Sequence, residues 1–214
     1  MMLKDLVNKW ALITLLTLIL TGCSGGGGGG NLTVSGSGSS SNASGQQKVV
    51  FAGASSIAYG NWSAYFGIPI ENNGVPGIES TTLANTIANY VASHPDKIFI
   101  MIGLNDVRKR LEGQVVGNIS TIIDKINAVS PGTKIFIHSI LPMNHASYNE
   151  VTERVNPQIQ ALCERRGVTY LFIHNHFKAP NRVVDLSLYR TDGIHLNENG
   201  YSVWVNAIRR HVLS

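Results

Sequence analysis

Apolar residues along the chain fall into two alternating patterns. Short, almost unbroken runs occur in "KVVFAG" (48–53), "KIFIMIG" (97–103), "KIFIHSI" (134–140) and "TYLFI" (169–173), rich in β-branched or aromatic residues and bounded by charged or turn residues. Runs of this length and make-up predict strands buried on both faces. A weaker run, "IPIEN" (68–72), predicts a strand at a sheet edge, where Pro69 is tolerated. The segments between repeat their apolar residues with helical spacing. "STTLANTIANYVASH" (80–94) places Leu83, Ile87 and Val91 four apart, and "VVGNISTIIDKINAVSPG" (115–132) puts Ile119, Ile122, Ile123, Ile126 and Val129 on one face. "EVTERVNPQIQALCERRG" (150–167) aligns Val151, Val155, Ile159 and Leu162, ends at Gly167 and carries Pro157, which predicts a kink. A last helix over about 197–212 carries Tyr201, Trp204, Val205 and Ile208. Buried strands alternating with amphipathic helices predict an α/β domain of three layers, α/β/α, around a mainly parallel five-stranded sheet. No internal repeat is visible.

The first residues follow neither pattern. "WALITLLTLIL" (10–20) is apolar and uncharged behind Lys4 and Lys9. It is shorter than the ~20 residues of a membrane span and has the length of a secretory h-region. The following "LTGC" (20–23) resembles the lipobox of bacterial lipoproteins, in which the cysteine receives lipid and becomes the mature N-terminus. That resemblance implies a signal peptide over 1–22, lipidation at Cys23 and residence in the bacterial cell envelope. Ser24 after the cysteine implies the outer membrane in a Gram-negative source. The Gly/Ser/Asn-rich segment up to residue 47 lacks charge and nearly lacks apolar bulk, which predicts a flexible tether with an r.m.s. reach of roughly 25–30 Å. Residues 48–214 then have the length of one domain.

Cysteine and charge usage narrow the classes further. With Cys23 taken by lipid, Cys163 is the domain's sole cysteine, so no disulfide forms within it, and its helical position predicts a core residue. The formal net charge of +4 is spread over small clusters at 108–110, 165–166 and 209–210. No basic stripe interleaved with aromatics appears, which argues against a nucleic-acid partner. The sequence carries no signal for an oligomeric state.

In parallel sheets, sites form beyond the carboxyl ends of the strands. Polar residues gather there in "GASS" after the first strand, "NNGVPG" after the edge strand and "GLND" after the next, with "TDGIHLN" (191–197) opening the last helix. Each has an ordinary reading alone. Ser55 suits a strand-to-helix turn, Pro76-Gly77 and Asp192-Gly193 are turn pairs, Asn105 suits a cap, and His195 suits a surface. Together they hold the parts that acyl transfer needs: a nucleophile, a base, a carboxylate to orient the base, and donors for an oxyanion.

On these blocks the chain resembles the SGNH, or GDSL-type, hydrolases, named for a Ser, Gly, Asn and His in four short motifs. "FAGASSI", "NNGVPGIEST", "IGLND" and "DGIHLNENGY" occur in the family's order, and "KIFIHSILPMN" resembles the subgroup related to platelet-activating-factor acetylhydrolase and sialate O-acetylesterase. The resemblance implies a flavodoxin-like fold and a catalytic triad of Ser55, Asp192 and His195. It also implies an oxyanion hole from the amides of Ser55 and Gly77 and the side chain of Asn105, with neither metal nor cofactor. One position departs: the family usually carries Asp where this chain has Ala54.

The implied activity is serine esterase chemistry on short acyl, chiefly acetyl, esters of a glycan or other envelope-accessible substrate. Two further readings stand beside it: a lysophospholipase or thioesterase for longer chains, and a catalytically silent glycan-binding module, which Ala54 alone favours. Among the other histidines, "HNH" (174–176) lacks the acidic and basic company of a nuclease, and His138 fits a core strand. His145 with Asn144 and Tyr148 is a candidate for the substrate cleft, and Arg108 for an anionic substrate group.

Overall fold

The computed structural model describes residues 45–214; the expected signal peptide, Cys23 and nearly all of the tether lie outside the described residues. Five strands, β1 (Val49–Gly53), β2 (Ile70–Gly74), β3 (Lys97–Met101), β4 (Lys134–His138) and β5 (Thr169–Leu171), pair in the order β2-β1-β3-β4-β5. Every pairing is parallel. The weak fifth strand is an edge as expected, but it begins two residues later and runs through Asn72, Asn73 and Gly74. Its polar residues suit a strand that only one neighbour holds and whose side chains reach solvent. Strands β3 and β5 end earlier than their apolar runs, because Ile102 and Ile173 stay buried in the loops beyond them.

Alternation along the strands divides the core in two. Val50, Ala52, Ile98, Ile100, Ile135 and Ile137 face a cluster shared with helices α3 (Ser80–Val91), α5 (Val115–Val129) and α6 (Ala146–Arg166). Val49, Phe51, Phe99 and Phe136 face the other way, against α2 (Trp62–Phe66) and α7 (Glu198–Leu213). On that second face the register places three phenylalanines side by side. Phe51 and Phe99 stack at 4.9 Å, Phe99 and Phe136 at 4.4 Å, and Trp62 lies on Phe51 at 4.6 Å. Each such pair adds about 0.5–1.5 kcal/mol beyond the area it buries. Helix α6 starts a turn before the expected point, because its first turn is polar and shows no apolar period, and it continues through Pro157. Short helices α1 (Ser55–Ala58) and α4 (Leu104–Arg108) follow β1 and β3. Cys163 is buried as expected, and burial pushes its thiol up to about 11.

Two buried bases tie layers together. Lys97, at the amino end of β3, donates to the carbonyls of His211, Val212 and Ser214, placing its charge at the negative end of α7. His138 ends β4 almost fully enclosed, with Nδ1–H donating to the Ile100 carbonyl at 3.1 Å. Burial lowers its pKa to about 4; the Ile100 bond opposes this and nearby His211 adds to it. The unfolded chain therefore takes up a proton near pH 6.5 that the folded chain refuses until about pH 4. We predict that stability held above pH 6.5 declines on acidification to pH 4, with about 3 kcal/mol of the loss owed to His138. Urea unfolding across that range should show a shallower acid slope in His138→Leu, whatever its stability at pH 7. An unchanged slope refutes the assignment.

Candidate active site

Strand β1 ends in a backbone that only glycine can adopt. Gly53 has φ +153°, and a Cβ there would lie 2.1 Å from the Met101 carbonyl oxygen of β3. The chain then turns into α1, so Ser55 stands as its first residue. The carbonyls of this one-turn helix and the residues after it are held from three directions. Tyr201 donates to Ser56 O at 2.9 Å, Trp62 Nε1 to Ile57 O at 2.8 Å, and Asn72 Nδ2 to Ile57 O and Gly60 O. Ala54 is the N-cap, and its methyl offers no cap to the first amides. The Ser55 N–H has no partner in the helix, as at any helix start.

The loop before α7 brings the base to this serine. His195 Nε2 lies 3.2 Å from Ser55 Oγ, and His195 Nδ1 lies 2.7 Å from Asp192 Oδ2. The carboxylate at Nδ1 fixes the proton there, leaving the Nε2 lone pair to accept from the serine hydroxyl. Asp192 Oδ1 also accepts from the backbone N–H groups of Ile194 and His195, each at 2.8 Å. Partial desolvation pushes the Asp192 carboxyl up, but the bonds from the His195 backbone, its ring and Ile194 outweigh it and hold the pKa down to about 2. The carboxylate thus stays ionised through the whole working range. Gly193 makes the tight turn possible: it has φ +64°, and a Cβ would approach that of Asn144 to 2.4 Å. The Gly193 carbonyl accepts from the Asn144 N–H at 2.8 Å.

The two remaining expected residues arrive through a shared clamp. Val75-Pro76-Gly77-Ile78 forms a turn with Gly77 at φ +82°, closed by Ile78 N–H to Val75 O at 3.5 Å. Pro then Gly at its centre, with positive φ at Gly, matches a type II turn. The bond uses the Ile78 N–H, and the Gly77 N–H donates to no backbone carbonyl among the described residues. Asn105, nearly buried, donates one Nδ2–H to Ile78 O at 2.8 Å and keeps the second free. Asn105 lines a cavity of about 20 Å³ together with Ser55; Gly77 does not line it and joins the site through Ile78. Ser55, His195 and Asp192 are therefore bonded in series, Asn105 faces the same cavity, and Gly77 stands one residue from Asn105's partner.

Asp106, which beside Asn105 suits a helix cap or a turn, holds this clamp. It is fully buried, and its carboxylate accepts from Ser80 N at 3.0 Å, Ser80 Oγ at 2.6 Å and Gln114 Nε2 at 3.3 Å. It thereby caps α3 from another element and locks 78–80 against 105–106. The pairing of Asn105 with an acid in "GLND" was the only local signal. Arg108 is exposed and lines the cavity beside Ser55. Asn144 and His145 line a different cavity, of about 440 Å³, and Tyr148 stacks on His145. Within "HNH", His174 is buried and His176 exposed, and no cluster among the described residues could hold a metal ion.

A serine, an imidazole and a carboxylate in hydrogen-bonded series at the carboxyl edge of a parallel α/β sheet form an arrangement able to carry acyl transfer. A sequence profile of the GDSL-like Lipase/Acylhydrolase family matches residues 34–203, and the chain belongs to that family of ester hydrolases. Among solved structures it is similar to one described as a platelet activating factor from Streptococcus pneumonia, at 24% identity over 80% of this chain and 86% of that one, TM-score 0.72. It is also similar to a GDSL-like lipase from Bacteroides thetaiotaomicron, at 20% identity over 78% and 88% of the two chains, TM-score 0.65. An acetylxylan esterase from Geobacillus stearothermophilus matches at 14% identity over 78% and 94%, TM-score 0.66. These likenesses show the shared fold. No curated protein matches the sequence.

The clamp gives a prediction. Asp106→Ala strands the Ser80 N–H and hydroxyl in the interior, which should cost about 2–3 kcal/mol in urea unfolding. Misplacing Asn105 should also lower kcat on a short ester by about 10- to 100-fold. Unfolding and turnover measured on the same preparation check both, and unchanged turnover would show that the clamp does not govern Asn105.

Proposed function

We propose that the protein is a serine esterase that removes short acyl groups, acetyl above all, from a glycan or other envelope-accessible substrate. The observation that carries the reading is the size of the cavity beside Ser55. Its volume of about 20 Å³ is walled by Met101, Ile102, Ile140, Leu141 and Ile194. That is room for about one water-sized group, which suits a methyl group better than a fatty chain. The acetylxylan esterase among its structural neighbours supports the same choice.

In the proposed mechanism, Ser55 Oγ attacks the ester carbonyl while its proton passes to His195 Nε2. Asp192, held ionised by its three N–H donors, stabilises the imidazolium that forms. The carbonyl electron pair moves to the oxygen, where the N–H groups of Ser55 and Gly77 and the free Nδ2–H of Asn105 receive it. Collapse breaks the ester C–O bond, and His195 returns its proton to the departing alkoxide. Water, deprotonated by the same imidazole, then releases the carboxylate and restores Ser55.

Hydrolysis of p-nitrophenyl acetate, octanoate and palmitate tests this directly. Acetate should be the preferred substrate, Ser55→Ala should abolish turnover, and Asn105→Ala should lower kcat about 100- to 1000-fold. Wild-type rates in Ser55→Ala would sink the assignment, and a preference for palmitate would favour the long-chain reading.

We further propose that Cys23 carries lipid and holds the domain at the bacterial envelope, outer membrane in a Gram-negative cell. Support comes from the order of basic flank, apolar run and "LTGC" at the N-terminus. Metabolic labelling with an alkyne-tagged palmitate should mark the full-length chain but not Cys23→Ala, which should leave the membrane fraction. Equal labelling of both would refute the anchor.

A further inference from the structure

A second cavity, of about 570 Å³, opens where the chain leaves β5. Phe172, His174, Asn175, Lys178 and Arg182 line it with Glu153, and it shares Glu153, Lys178 and Arg182 with the 440 Å³ cavity that reaches Asn144 and Glu150. Asn144 is the residue bonded to Gly193, between Asp192 and His195. The two cavities thus adjoin at Glu153, Lys178 and Arg182, and the groove they flank extends from the end of β5 toward the loop that carries His195. Volumes of this size are those of ligand sites, and they far exceed the space at Ser55.

The lining has a consistent chemistry. Phe172 presents an aromatic ring that is 48% exposed, although it follows a core strand. His174 is buried; its Nδ1–H donates to the Ile140 carbonyl at 2.8 Å, and Nε2 has no partner among the described residues. Burial lowers the pKa of this ring, which keeps it neutral with a lone pair at Nε2. Asn156 braces the wall by bonding both the N–H and the carbonyl of Ile140. Lys178 is paired with Glu153, so their charges cancel. Arg182 has no carboxylate partner among the described residues. It also holds a left-handed backbone, φ +65°, in a turn closed by its N–H to Ala179 O at 2.8 Å. Non-glycine residues in this region are uncommon and gather at ligand-binding positions.

An aromatic face suits the C–H face of a sugar ring. The exposed Asn175 amide suits hydroxyls, and an unpaired guanidinium suits a carboxylate in bidentate geometry. We propose that this groove is a saccharide subsite that binds an acidic, uronate-bearing glycan chain, with Phe172 as platform and Arg182 as carboxylate receptor. The inference rests on the esterase reading for its purpose, since it would hold sugar units remote from the ester at Ser55. Its binding chemistry stands independently.

Calorimetry with the full-length chain and unacetylated oligogalacturonate reads binding without turnover, with xylo-oligosaccharide as the neutral comparison. Oligogalacturonate should bind, and more tightly than xylo-oligosaccharide. Phe172→Ala should weaken both, whereas Arg182→Gln should weaken oligogalacturonate alone, by about 10- to 100-fold. Both positions lie at the surface, and thermal unfolding of each variant verifies its fold. No binding of oligogalacturonate, or binding indifferent to both substitutions, overturns the proposal; equal affinity for the neutral sugar overturns its acidic preference. p-Nitrophenyl acetate hydrolysis by the unsubstituted chain reports on the esterase reading separately.

Discussion

The carboxyl edge of this molecule is organised by the meeting of two backbones, Gly53 of β1 and Met101 of β3. No side chain larger than hydrogen fits between them, because a Cβ on Gly53 would sit 2.1 Å from the Met101 oxygen. That approach lets both strands end at the same level, with Gly53 opposite Met101 in register. The helix bearing Ser55 and the helix bearing Asn105 therefore begin side by side. The edge strand follows the same rule, since Gly74 pairs with Gly53 and Val75 N–H donates to Gly53 O at 2.9 Å. Three segments distant in sequence are thereby set around one point before any side-chain chemistry is considered.

Rigidity at that point is supplied by buried polar bonds and not by apolar packing alone. Asp106 satisfies the start of α3, Asn105 grips Ile78, and Tyr201, Trp62 and Asn72 take up the carbonyls around α1. A site of this kind needs its donors fixed in advance, because the work of aligning dipoles is otherwise done during reaction. Ala54 fits that picture. Where the helix lacks a side-chain cap at its start, three side chains secure the residues at its other end.

The central strands were legible because burial on both faces leaves a continuous apolar run with turn residues at its ends. Strand β2 was placed two residues early, since its limits are set by pairing with β1 and its exposed Glu71 and Asn72 carry no apolar signal. Helices α1, α2 and α4 escaped for a related reason: at 4, 5 and 5 residues they are too short to show a period. The meeting of Ser55, His195 and Asp192 in one hydrogen-bonded series was legible because their residue types and block order set them at the same sheet edge. Asp106 was not, as its role exists only through Ser80, 26 positions away. The cavity beyond β5 was equally hidden, being lined from α6 and the segment after β5 by residues that look like ordinary surface.

A parallel sheet has two unlike ends, and this chain uses them for different purposes. Both limits of the domain lie at the amino end: Lys48 N–H bonds Asp96 at 2.7 Å, Gln47 reaches Ser214 O at 3.1 Å, and Lys97 gathers the last carbonyls. Ser55 stands at the opposite end, roughly 16 Å away by the rise of a five-residue strand. A fusion joined after Ser214 therefore leaves the domain at the pole remote from Ser55, where it cannot crowd the mouth of the Ser55 cavity.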